Sequence, residues 1–231
     1  MNFSKNCRFF LMIMMIAKGH TIFSQETIVW NSIQLPVRLS SKWQLPVDFS
    51  YRTLGVSAYT YQYTSRVGIR RFINKAWSVA SGLALFFTRT SFEKADHEFG
   101  RELRIWQEVV AEKKLKKNFV LQNRLRTEER FFDATTGKDS YAAIRFRYRL
   151  GLAKFFRTRY KLQVAEEYME HYSFNKFSFQ QNRVYISCGY LINNLTQIEA
   201  GYIWSEIPEI VRHYITISFQ RIISFHGNRK R

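Results

Sequence analysis

Apolar and polar residues alternate one for one through most of this chain, and that period constrains its fold more than any other feature. Ala142, Ile144, Phe146, Tyr148, Leu150 and Leu152 alternate with Arg145, Arg147 and Arg149. Trp43, Leu45, Val47, Phe49 and Tyr51 alternate with Gln44, Pro46, Asp48, Ser50 and Arg52. Tyr59, Tyr61, Tyr63, Val67 and Ile69 alternate with Thr60, Gln62, Thr64, Arg66 and Arg70. Successive side chains of a strand point to opposite faces, so each such segment carries one apolar and one polar face. Helical spacing would scatter the arginines around a circumference. These are strands.

Segments of this kind run at 27–38, 43–54, 58–71, 77–92, 101–112, 119–131, 141–153, 159–169, 181–191, 196–205 and 212–225. Most exceed the ~5–6 residues usual in a soluble sheet and reach the ~9–11 that cross a bilayer obliquely. No stretch after residue 25 reads as an amphipathic helix long enough to cover a sheet, so an open sheet would leave its apolar face bare. Short turns are expected around 40–42, 73–75, 113–118, 155–158 and 193–194. Longer polar links are expected at 91–100, 132–140, 170–178 and 206–211. Short turns on one side and longer loops on the other are the arrangement of outer-membrane barrels.

Aromatic residues make up 17% of the chain and crowd the segment ends. Trp43, Trp77 and Phe119 stand beside short turns, and Phe131, Tyr168 and Trp204 beside the longer links. Rings with an apolar body and a polar edge favour the two membrane interfaces and form girdles there. The expected fold is therefore all-β, a single antiparallel transmembrane β-barrel. Both termini on one side require an even strand number. Pro36 and the weak alternation over 30–39 make the first segment the one to discount, which gives ten strands, or twelve if one segment holds two strands. The competing fold is a soluble periplasmic β-barrel with its apolar face inward around an apolar ligand. Its interior would have to hold the aromatic stripes of about ten strands, whereas a lipid-facing band has no such volume limit.

The N-terminus has the order of a secretory signal: basic Lys5 and Arg8, an apolar run from Phe9 to Ala17, and a small Ser24. That divides the chain into a signal peptide at 1–24 and a barrel domain at 25–231. The apolar run is too short for the ~20 residues of a spanning helix, and a mean hydropathy of −0.30 is too low for a bundle of such helices. The address implied is the outer membrane. Cleavage would leave Cys188 as the one cysteine, so no internal disulfide is expected. The net charge of +18 could suit nucleic acid, but export removes the chain from it, and the arginines alternate with lipid-type residues. The basic turn Lys113-Lys114-Leu115-Lys116-Lys117 and the tail Arg229-Lys230-Arg231 suit anionic headgroups of the outer-membrane lipids instead.

The polar faces carry the sharper signal. Arg104, Arg124, Arg126, Arg145, Arg147, Arg149, Arg159 and Lys161 share one facing parity on four consecutive segments, interleaved with Glu102, Glu108, Glu112, Glu128 and Glu167. One reading is an Arg–Glu ladder that fills a narrow lumen, because buried charges must be paired. The other is an electropositive pore that attracts small anionic solutes. A lipid-modifying enzyme of the outer membrane would need a serine held by a histidine. Ser173 near His171 and Ser218 near His213 are the candidates, and nothing in the sequence pairs them. His97 lies among Glu93, Asp96 and Glu98 with no zinc spacing, and His226 stands alone. No catalytic residue, metal or cofactor is assigned.

Several features resemble one known family. They are Trp30 before a strand, the hairpins Ser41-Lys42-Trp43 and Asn74-Lys75-Ala76-Trp77, and Tyr51-Arg52 ending a strand. The run Arg124-Leu125-Arg126-Thr127-Glu128-Glu129-Arg130 and the run Arg145-Phe146-Arg147-Tyr148-Arg149 belong to the same pattern. In these the chain resembles DUF2490, uncharacterised Gram-negative proteins regarded as outer-membrane barrels. The resemblance implies the barrel fold and the outer membrane, and carries over no catalytic motif. It also implies a terminal aromatic read by the barrel-assembly machinery; here Phe225 is followed by His226 to Arg231.

Overall fold

The computed structural model describes residues 25–55, 59–90 and 98–224. The signal segment, His97, Phe225, His226 and the basic tail lie outside these residues. In chain order the strands are β1 Gln25–Gln34, β2 Val37–Arg38, β3 Trp43–Leu45, β4 Val47–Leu54, β5 Thr60–Phe72, β6 Trp77–Arg89 and β7 Phe99–Lys114. They continue as β8 Phe119–Phe132, β9 Tyr141–Phe156, β10 Tyr160–Ser173, β11 Lys176–Asn193, β12 Thr196–Ile207, β13 Ile210–Arg221 and β14 Ile223–Ser224. One 3₁₀ turn, Lys116–Asn118, is the only helical piece among the described residues. Pro36 and Pro46 fall between β1 and β2 and between β3 and β4. Proline brings no N–H to a ladder, so each short strand is a continuation of its longer neighbour past a break.

The wall of the barrel is eleven strands, β1 and β4 to β13. From β4 onward each strand pairs antiparallel with the next. Closure comes from β1, which runs antiparallel to β4 and parallel to β13, from Gln25↔Val211 to Gln34↔Gln220. β2 and β14 extend the seam in the same register, Val37↔Ile223. The count is one above the ten favoured by parity. An even number is needed only if every seam is antiparallel, and a parallel first–last pair lets an odd number close. Pro36 ends β1 without removing it from the wall. The described barrel therefore begins at one rim and ends at the other.

The short turns fall at one rim, hereafter the turn rim, as expected. At the opposite rim two of the four expected long links are tight hairpins. β10 and β11 pair through Ser173↔Lys176 around Phe174 and Asn175, whose φ values are 49° and 58°. β12 and β13 pair through Ile207↔Ile210 around Pro208 and Glu209, the latter at φ 67°. Two left-handed residues match the twist of a hairpin, but Phe-Asn lacks the glycine that marks such a turn in a sequence. The polar run at 170–178 continues the ladder, with a bulge between Met169 and Glu170.

Alternation sorts the side chains as the period requires. Leu83, Leu125, Phe146, Leu150, Leu152, Ile186 and Ile217 are exposed on the outside, while Arg104, Arg126, Arg145 and Arg183 are buried inside. A water-soluble barrel with an apolar interior has the opposite arrangement. Side chains also fill much of the interior. Trp106, 1% exposed, lies across the lumen over the backbones of Gly68 and Gly82. A Cβ on Gly82 would stand 2.1 Å from the Val67 carbonyl oxygen and 2.8 Å from Trp106 Cζ2. The missing side chains make the slot for the indole. Gly82→Ala is therefore expected to cost about 1–3 kcal/mol by overpacking and to shift the Trp106 fluorescence. A melting temperature equal to the parent's would show that the indole moves freely.

Candidate functional site

Four glutamates of the inner face organise the lumen. Glu102 on β7 accepts from Arg104 Nε (2.5 Å) and Nη2 (2.8 Å) and from Arg130 Nε (2.5 Å) and Nη2 (3.2 Å). Glu108, six residues further along the same face, accepts from Arg70 Nη2 at 2.6 Å and from Arg126 Nε and Nη2 at 3.0 and 2.6 Å. Glu128 on β8 takes Arg145 through Nε at 2.9 Å and also through Nη2, and takes Arg147 Nη1 at 2.7 Å. Arg104 and Arg126 stand 3.5 and 3.7 Å away from it. Glu167 on β10 accepts from Arg124 Nη2 (2.5 Å), from Arg147 Nε and Nη2 (both 3.0 Å), and from the Tyr185 hydroxyl (2.6 Å).

The arrangement follows from the ladder. Glu108 faces Arg126, and Arg126 faces Arg147 on the next strand. Glu128 faces Arg145. Directly opposed residues have Cβ atoms about 5 Å apart, so forked guanidinium–carboxylate contacts form along each row and bind it to the next. Arg147 joins the Glu128 and Glu167 groups. Glu128 and Glu167 are 1% and 0% exposed, so water does not carry their charge; the arginines do.

Of the residues singled out from sequence, Glu102, Arg104, Glu108, Arg124, Arg126, Glu128, Arg145 and Arg147 are brought together in this network. Arg149 faces inward but sits over the Tyr185 ring at 4.5 Å with no carboxylate partner among the described residues. Lys161 lies nearer the turn rim and pairs with Glu199. It lines a cavity of about 610 Å³ with Glu112, Gln122, Gln163 and Gln197. Arg159 does not face the lumen. It is in the hairpin between β9 and β10, exposed, with Nη1 3.4 Å from the Tyr190 hydroxyl. Left-handed Arg157 and Thr158 end β9 before it, so its place in the alternation is lost. Arg70 and Arg130 complete the network. Both lie on the inward parity, the signal by which they could have been added.

Trp43, Trp77, Phe131 and Tyr168 are exposed on the outer face, and Phe119 and Trp204 are half-buried there. Neither serine–histidine pair is assembled. Ser218 shares the inward parity of Tyr214, whereas His213 faces outward and bonds the Tyr202 hydroxyl at 2.5 Å. His171 stands opposite Ser178, not Ser173, with its ring nitrogens 3.3 and 3.4 Å from Ser178 Oγ. No carboxylate joins them among the described residues, nor is there a group of three His, Cys, Asp or Glu that could hold a metal.

The profile of a protein of unknown function, DUF2490, matches residues 27–214. The chain belongs to the DUF2490 family. No curated protein matches this DUF2490 chain. Among solved structures it is similar to the crystal structure of the beta domain of the Bordetella autotransporter BrkA, at 11% identity and a TM-score of 0.45. The match covers 80% of this chain and 83% of that one. The barrel assignment rests on the DUF2490 chain's own closed ladder.

Proposed function

We propose that this DUF2490 protein is an outer-membrane barrel whose lumen is sealed by its own side chains, a structural barrel and not an open pore. The single observation that carries this is the burial of Glu128 and Glu167 inside the wall, 1% and 0% exposed. A water-filled channel of useful width would wet them. Outer-membrane residence is supported by the apolar outer band and by the rings near each rim. The turn rim carries Lys42, Lys75, Lys113, Lys114, Lys116, Lys117, Arg157 and Arg159, a charge suited to anionic phospholipid headgroups. Partners on this reading are those lipids and the barrel-assembly machinery.

A second reading, passage of small anions, is favoured by the excess of arginine over glutamate in the network. Planar-bilayer recording separates the two. The parent protein is expected to show no steady conductance, and Glu128→Ala with Glu167→Ala is expected to produce anion-selective steps. Steady anion-selective steps in the parent would replace the sealed barrel by the pore. Fractionation and heat-modifiable gel migration test the address, and recovery in the soluble periplasm would overturn it.

A further inference from the structure

The wall opposite the Arg–Glu network has a different chemistry. Trp30 on β1, Tyr214 on β13 and Tyr185 on β11 face inward around Ile28 and Ile203. Arg52 lies over the Trp30 ring at 3.7 Å, and Arg183 stands 6.0 Å from that ring and 5.6 Å from Tyr214. Trp30 and Tyr214 meet edge-on, their centroids 6.2 Å apart. Arg149 covers Tyr185 from the neighbouring side. The three guanidinium groups thus gather about one aromatic cluster.

None of the three has a carboxylate partner among the described residues. Arg52 and Arg183 are 9% and 8% exposed, so bulk water does not compensate them fully. The nearest acids are already engaged: Glu167 with Arg124, Arg147 and Tyr185, and Asp48 with Arg66 at 3.7 Å. Aromatic faces attract a guanidinium but do not accept its N–H groups in the ring plane. Most of the orphaned atoms here are donors; the exception is the Gln62 Oε1 acceptor, on the residue across the ladder from Arg52. Arg52 Nε, Arg149 Nε, Arg183 Nε and Trp30 Nε1 are all buried donors without an acceptor. With orphaned donors outnumbering acceptors, excess positive charge and planar forks, the site suits a group that only accepts: an oxyanion.

We propose that this half of the lumen binds a soluble oxyanion of the phosphate class between Arg52, Arg183 and Arg149, with Trp30 as its platform. The site borders the paired network at Glu167, which stands across the ladder from both Arg149 and Arg183, and its occupancy does not depend on whether the barrel conducts. Inorganic phosphate titrated into the full chain, folded in a non-ionic detergent, tests it against sodium chloride at matched ionic strength. Phosphate is expected to raise the melting temperature and to change tryptophan fluorescence saturably, and chloride to do neither. Arg52→Gln and Arg183→Gln are each expected to weaken half-saturation at least tenfold, whereas Arg101→Gln, exposed beside Asp133, leaves it unchanged. Arg149→Gln, on the less buried of the three, supplies the comparison if either of the other variants fails to fold. Submicellar dihexanoylphosphatidylglycerol distinguishes a headgroup phosphate from a free one; a response to it alone overturns the soluble-oxyanion assignment. Equal responses to phosphate and chloride in the parent, or parental affinity in the arginine variants, overturn the site.

Discussion

Replacing Glu128 by alanine is expected to destabilise the barrel by about 3–5 kcal/mol, the cost of leaving buried charge uncompensated. Arg145 loses its carboxylate outright, because its other contact is Gln180 Oε1 at 3.4 Å. Arg147 retains Glu167. Arg104 retains Glu102 and Arg126 retains Glu108, so the damage centres on Arg145. The double variant Glu128→Ala with Arg145→Leu removes both charges and is expected to recover a large part of the loss, since apolar replacement of a buried pair is often neutral. Urea unfolding in detergent micelles, followed by heat-modifiable migration, measures both. An unchanged midpoint for Glu128→Ala would mean that water reaches the centre of the lumen.

Leu125→Arg probes the other face. Leu125 is 61% exposed midway along β8, beside Val109 and Tyr148 on the outer surface. An arginine on the lipid face near the midplane costs about 2–4 kcal/mol, and no carboxylate stands directly across from residue 125. Folding into phosphatidylcholine vesicles is expected to fall accordingly, while stability in detergent, whose surface adapts to the charge, changes less. Equal loss in both media would point to packing damage and against a lipid-facing position.

Much of this was legible before any coordinates. The inward arginines and outward Leu, Phe and Ile rows follow from period two, because a strand admits only two faces. A run such as 145–149 cannot be turned without moving every residue. The segment borders were also nearly right wherever a turn carried its own signal, as at Asn74, whose side-chain oxygen accepts from Ala76 and Trp77. Where backbone geometry was unmarked by residue type, the reading failed: Phe174-Asn175 turns without glycine, and Arg157-Thr158 takes Arg159 out of the alternation.

Local pattern thus fixed which side of each strand carries the apolar rows and which carries the charge, since that depends on neighbours one and two residues away. It could not say how many strands close the ring, because closure joins residues 25–34 to 211–220, a pairing between chain ends that no local period encodes. Nor could it say which guanidinium finds a carboxylate. Arg147 reaches two and Arg52 none, although both lie on the same face of similar strands. That difference arises from which rows converge across the lumen, and rows converge only once the wall has curved shut.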